Sequence, residues 1–149
     1  MYSFSYSFFK ATHPMAGYSP NPLLKKLGIK ENYRIQVFNP PDSYWEDLGP
    51  LPDNVEGVDE AGPEEIDFIH FFTKSADEMK SRIAGLKATL KKTGMLWISW
   101  PKKASKVPTD MSDGIVRNTG LEAGLVDVKV CAVDEVWSGL KFMYRVKDR

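Results

Sequence analysis

The stretch from Ile66 to Ser105, IDFIHFFTKSADEMKSRIAGLKATLKKTGMLWISWPKKAS, most constrains what this chain can fold into. It reads as an apolar strand, a capped helix, a second apolar strand and a loop carrying two lysines. Ile66–Phe72 is nearly continuous in apolar residues, as expected of a strand covered on both faces. Ser75 opens S-A-D-E, a capping box in which Ser75 and Glu78 can each satisfy an orphan amide. Met79, Ile83, Leu86 and Leu90 follow at helical spacing, and Gly94 is expected to end the helix. Met95–Trp100 is the next strand. Two apolar strands joined by a helix make a parallel pair, the unit of an open α/β sheet. Ligands of such sheets bind outside the carboxyl ends of the strands, which is where Pro101-Lys102-Lys103 falls.

The flanking segments extend the pattern. In PNPLLKKLG, Asn21 is a plausible N-cap, Pro22 takes the first helical position and Gly28 lies just past the end. A strand over 33–39 stops at Pro40 and Pro41, DSYWEDLG makes a helical turn closing at Gly49, and a short strand covers Asn54–Val58. A helix is expected from Thr109 to Gly124, weakened by Gly114 and Gly120. Strands follow at Val126–Val133 and from about Leu140 to Val146. The link DEVWSG is too short for a parallel crossover, so the last strand must be antiparallel. In that link Gly139 is expected to take a positive φ in a tight turn, with Trp137 covering the sheet edge.

At 149 residues the chain fits one ordinary domain. Residues 1–14 read as an N-terminal extension and 15–149 as a single α/β domain, because Met15 opens MAGYSPNPLLKKLG like a natural start. Within the extension, Tyr2, Phe4, Tyr6 and Phe8 alternate with serines at the period of a strand. Such an arm could add an edge strand to a neighbouring sheet. Lys plus Arg equals Asp plus Glu at 20 each, which leaves no global charge argument for nucleic acid or an anionic membrane. The lysine pairs are scattered over different elements, and no apolar run approaches the roughly 18 residues of a membrane span. One cysteine, Cys131 in the apolar run VKVCAV, is expected to be a buried thiol. The lack of paired cysteines fits a reducing, cytoplasmic compartment. With only His13 and His70, no metal-ligand spacing and no nucleophile–histidine arrangement is expected. His70 shares a strand face with Phe68 and Phe72 and reads as a core histidine with one hydrogen bond.

Parallel strands with helices, ended by an antiparallel hairpin, resemble class I methyltransferase-like Rossmann domains, a three-layer architecture. The strings MAGYSPNPLLKKLGI, WISWPKKASKVPTD and GLVDVKVCAVDEVWSGLKF resemble a bacterial family, the domain of unknown function 3052 family, over nearly all of Met15–Arg145. The methyltransferase resemblance implies S-adenosylmethionine as cofactor, approached by backbone amides of a Gly-x-Gly-type loop after the first strand. Here that loop is Asn39-Pro40-Pro41-Asp42-Ser43, without glycine and short of two amide donors. Asp59 or Glu60, about twenty residues further on, takes the place of a ribose-binding carboxylate.

The strand ends put Asn39, Asp59, Glu60, Thr73, Trp100, Lys102, Lys103, Asp134 and Glu135 on one rim, to which the hairpin adds Trp137 and Ser138. Lys102, Lys103 and Ser105 are candidates to hold a phosphate or carboxylate, aided by helix amides near Thr109, and Trp137 to stack on a planar ligand. The leading expectation is a non-catalytic Rossmann-like domain. It would bind a small anionic molecule or a protein partner through Lys102, Lys103, Ser105, Trp137, Asp134, Asn39 and Asp59. The alternative is an S-adenosylmethionine-dependent methyltransferase with an unusual first loop, using Asp59 or Glu60 for the ribose and the strand-four loop for substrate.

Overall fold

The computed structural model describes residues 22–149. The 1–14 extension, the start at Met15, the Tyr2–Phe9 arm and the Asn21 cap lie outside the described residues. Helix α1 is Pro22–Leu27 and buries Leu23, Leu24 and Leu27. Gly28 ends it at φ +85°, donating its N–H to Leu24 O, a left-handed closure open to glycine without strain. Strand β1 is Arg34–Phe38, α2 is Tyr44–Leu48 and β2 is Glu56–Gly57. Strand β3 is Ile66–Phe72, α3 is Ala76–Thr89 and β4 is Leu90–Pro101. Helix α4 is Asp113–Glu122, β5 is Leu125–Ala132 and β6 is Trp137–Tyr144.

The six strands form one sheet in the order β2-β1-β3-β4-β6-β5. Strands β2, β1, β3 and β4 pair in parallel, whereas β6 is antiparallel to both β4 and β5. The first five strands therefore run in one direction, and β6 is inserted between the last two of them. Helices α1 and α2 cover one face, packing Leu27, Tyr44 and Leu48 on Ile35, Phe68, Phe72 and Trp97. Helices α3 and α4 cover the other, packing Met79, Ile83, Leu86 and Val116 on Ile69, Phe71, Ile98 and Phe142. This is a three-layer α/β architecture. No helix among the described residues is long and apolar enough to cross a membrane.

Four local expectations are corrected. Helix α3 ends at Thr89 rather than Gly94, because Leu90 already pairs with Ile66 in the sheet. Gly94 lies within β4, in a register shift between Leu90 and Met95, where an added Cβ would sit 2.9 Å from Ile66 O. That glycine is there for close backbone approach, not for a helix end. Helix α4 starts at Asp113, with the Ser112 hydroxyl accepting from Ile115 N–H. Thr109 instead donates its hydroxyl to Lys74 O at 2.7 Å and ties the loop to the approach of α3. The hairpin turn sits at Val133–Val136, so Trp137, Ser138 and Gly139 belong to β6 and Gly139 has no positive φ. Space explains this glycine too: a Cβ would lie 3.1 Å from Trp97 Cε3 and 3.2 Å from Ser99 Oγ. Finally, the capping box works through a relay. Ser75 Oγ accepts from Glu78 N–H, but Ser75 N–H donates to the Thr73 hydroxyl, which donates in turn to the Glu78 carboxylate.

Candidate functional site

The carboxyl ends of the parallel strands form a rim, but the N-terminus of α3 divides it. Strand β3 runs into Thr73, whose N–H donates to Ser99 O, and Ala76 N–H at the head of α3 donates to Asp110 Oδ1. Two of the cavities opening beside this divider lie on the α3–α4 face of the sheet.

The first, of about 580 Å³, lies between the end of β1 and α3 and is lined by Gln36, Phe38, Asn39, Asp59, Glu60, Ala61, Arg82 and Gly85 among others. Its origin is topological. The chain crosses from β2 over β1 to β3 in residues 58–65 without forming a helix, and a hollow remains between this crossing and α3 beside buried Gln36 and half-buried Phe38. The crossing is anchored at its far end, where Glu64 and Glu65 N–H donate to Ala88 O and Thr89 O. Asn39 sits at φ 57°, a left-handed turn that asparagine tolerates better than other non-glycine residues, and its Nδ2 donates to Phe72 O at 3.2 Å. The chain thus turns sharply at the end of β1 without glycine. Gln36 Nε2 donates to Asp59 O and steadies the backbone that carries the two exposed carboxylates, Asp59 and Glu60.

The expected residues did not include Arg82. Its guanidinium lies 5.0 Å from the Phe38 ring centroid and 5.2 Å from that of Phe71, and it has no carboxylate partner among the described residues. A signal was present, since Arg82 falls three residues after Met79 and so on the flank of the buried stripe.

The second cavity, of about 610 Å³, lies at the end of β4 and is lined by Trp100, Pro101, Lys102, Lys103, Val107, Thr109, Met111 and Ser138 with the head of α4. Ser105 is not one of its walls. Its hydroxyl donates to Lys102 O at 2.7 Å and accepts from Val107 N–H, closing the Lys103–Ser105 turn. Trp137 points to the opposite face, with its ring 5.2 Å from that of Phe72 in an edge contact. Asp134 Oδ1 accepts from Val136 N–H at 2.8 Å and Trp137 N–H at 2.7 Å, which builds the hairpin turn. It borders a third hollow with Glu135 and α1. The expected rim residues therefore separate: Asn39 and Asp59 share one cavity, Lys102 and Lys103 another, and Ser105, Trp137 and Asp134 join neither.

His70 is wholly buried, with Nδ1 2.8 Å from Tyr44 Oη and Nε2 2.8 Å from Ser99 Oγ, two hydrogen bonds where one was expected. It stacks on Phe72 at 4.2 Å, and burial lowers its pKa to about 3. Neutral and enclosed, it is part of the core. Cys131 is half-buried rather than buried, and burial raises its thiol pKa, which suppresses thiolate reactivity.

No protein-family model and no curated protein matches the chain, so the resemblance to the domain of unknown function 3052 family rests on the three strings alone. Solved structures do match. A SAM-dependent methyltransferase from Aquifex aeolicus aligns over 96% of this chain and 100% of its own, at 17% identity and a TM-score of 0.61. The chain has a methyltransferase-type Rossmann fold. A DhpI–S-adenosylhomocysteine complex aligns over 83% of this chain and 81% of its own, at 12% identity and a TM-score of 0.58. A TehB-like SAM-dependent methyltransferase from Corynebacterium glutamicum aligns over 94% of both chains, at 11% identity and a TM-score of 0.54. At such identities the likeness carries the fold alone. The expectation of a non-catalytic domain gains no support from this likeness.

Proposed function

We propose that the domain binds an S-adenosyl cofactor in the cavity between β1 and α3 and acts as a methyltransferase. One observation carries this reading: in a methyltransferase-type sheet, the ends of β1 and β2 bring Asn39, Asp59 and Glu60 together around a cavity of about 580 Å³. That volume falls in the ordinary range for small-molecule sites. The donor set fits the cofactor's parts. A carboxylate at the end of β2 accepts hydrogen bonds from a ribose diol, and Phe38 supplies an apolar surface. The loop departs from the usual design, since Pro40 and Pro41 have no N–H to offer. Arg82 compensates, because a guanidinium without a carboxylate partner is suited to the cofactor's amino-acid carboxylate. When bound, the cofactor supplies a sulfonium methyl group, whose C–S electron pair returns to sulfur as an acceptor lone pair takes the methyl.

Isothermal titration with S-adenosylhomocysteine tests the reading. The wild-type protein is expected to bind in the micromolar range, about −8 kcal/mol. Asp59→Ala with Glu60→Ala is expected to weaken binding by about tenfold or more, at an unchanged melting temperature. Arg82→Ala should weaken S-adenosylhomocysteine yet leave adenosine, which has no carboxylate, unaffected. Absence of heat with the wild-type protein, or full affinity in the Asp59/Glu60 variant, refutes the assignment.

A further inference from the structure

We propose that the cavity at the end of β4 is a binding site for a small apolar acid, a compact aromatic or branched carbon body bearing one anionic group. As an acceptor site it rests on the cofactor reading; as a binding site it stands on its own residues. The floor is apolar: Trp100 and Met111 are each 6% exposed, and Pro101 is buried beside them. The wall is cationic. Lys102 is half-buried and Lys103 exposed, and neither has a carboxylate partner among the described residues. The carboxylate at the cavity's edge, Asp113, is already held by Arg117 at 3.0 Å.

Most hydroxyls around the cavity are committed. Thr109 donates to Lys74 O, and Ser112 accepts from Ile115 N–H. Ser138, opposite Trp100 in the β4–β6 ladder, also lines the cavity and could contribute a hydroxyl to recognition. The loop is held in place before any ligand arrives: Lys102 N–H donates to Val136 O at 2.7 Å, and Lys106 closes the following turn at φ 62°. A free inorganic anion would leave the half-buried Val107 and the exposed edges of Trp100 and Met111 without an apolar partner, and a neutral body would leave two ammonium groups beside it without a counter-charge. An apolar acid satisfies both halves. The cavity opens on the same sheet face as the cofactor cavity, at the end of a strand that lies two spacings, about 10 Å, from β1.

Titration calorimetry with 2-naphthoate, its neutral amide and inorganic phosphate tests the inference. The acid is expected to bind about tenfold or more tightly than either the amide or phosphate. Lys102→Ala with Lys103→Ala should reduce naphthoate affinity about tenfold or more and leave S-adenosylhomocysteine affinity unchanged. Lys25→Ala with Lys26→Ala, a lysine pair on α1, should change neither. Equal binding of acid and amide, phosphate binding as tight as naphthoate, no naphthoate binding, or full affinity in the Lys102/Lys103 variant would overturn it. Naphthoate binding without S-adenosylhomocysteine binding would uphold this site and refute the cofactor reading. The reverse would refute this site alone.

Discussion

Gly120→Ala is expected to destabilise the protein by about 2–3 kcal/mol, although alanine is the better helix former. Gly120 faces the sheet from α4, and an added Cβ would lie 2.1 Å from Cε1 and 2.3 Å from Cζ of Phe142. Real carbon contacts do not reach such distances, so the ring or the helix has to move. Phe142 cannot yield easily, because it is fully buried in the cluster with Val116, Leu140 and Tyr144. The matched control is on the same helix: Gly114 has nothing within 4 Å of its would-be Cβ. Gly114→Ala should therefore stabilise by about 0.5 kcal/mol through backbone entropy alone. Urea denaturation of the two variants decides the matter. A Gly120→Ala midpoint equal to or above that of the wild type would show that α4 is not seated against Phe142.

The second large effect is in the pH dependence of stability. His70 is buried and neutral, with its folded pKa lowered to about 3, whereas an unfolded histidine titrates near 6.5. Between these values the unfolded chain holds one more proton than the folded one. Stability therefore rises with pH across that window, by about 1.4 kcal/mol per unit from this group, and the contribution is complete above pH 6.5. As pH falls towards 3 it is lost. The cause is that protonation would place a charge between Phe72, Phe68 and Trp97, where its two ring nitrogens already use the hydroxyls of Tyr44 and Ser99. His70→Asn should lower stability at pH 7, since Tyr44 and Ser99 lose a shaped partner. It should also flatten the slope between pH 4 and 6 by about one proton relative to wild type. Denaturation series at several pH values measure both. Parallel slopes in wild type and variant would contradict a buried, neutral His70.

The sheet was readable where hydrophobic period and caps agreed. Ile66–Phe72 forms β3 as expected, and Ser75 caps α3, because strand burial and helix capping are local physics. Gly94 misled because Leu86 and Leu90 continue the helical spacing while Leu90 has already joined the sheet, and a long-range pairing with Ile66 decides the boundary. Ser138-Gly139 looked like a turn, yet the turn is made by the Asp134 carboxylate two and three residues ahead of the amides it accepts. For the candidate site, the meeting of Asn39 with Asp59 and Glu60 at the ends of neighbouring strands was legible from spacing along the chain. Its division was not. Whether Lys102 and Asn39 face one hollow or two depends on where α3 begins and on the Ala76–Asp110 bond, contacts between residues 34 positions apart. Arg82 was hidden for a related reason, since a charged residue beside an apolar stripe is usually solvated.

The central claim is that the β1–α3 cavity is the cofactor site, and titration of 15N-labelled protein with S-adenosylhomocysteine, followed by amide chemical shifts, tests it most directly. The account predicts that the largest changes fall at Phe38, Asn39, Asp59–Ala61 and Gly85, with Lys102–Ser112 little affected. No saturable change, or changes concentrated at the β4 loop instead, would contradict it.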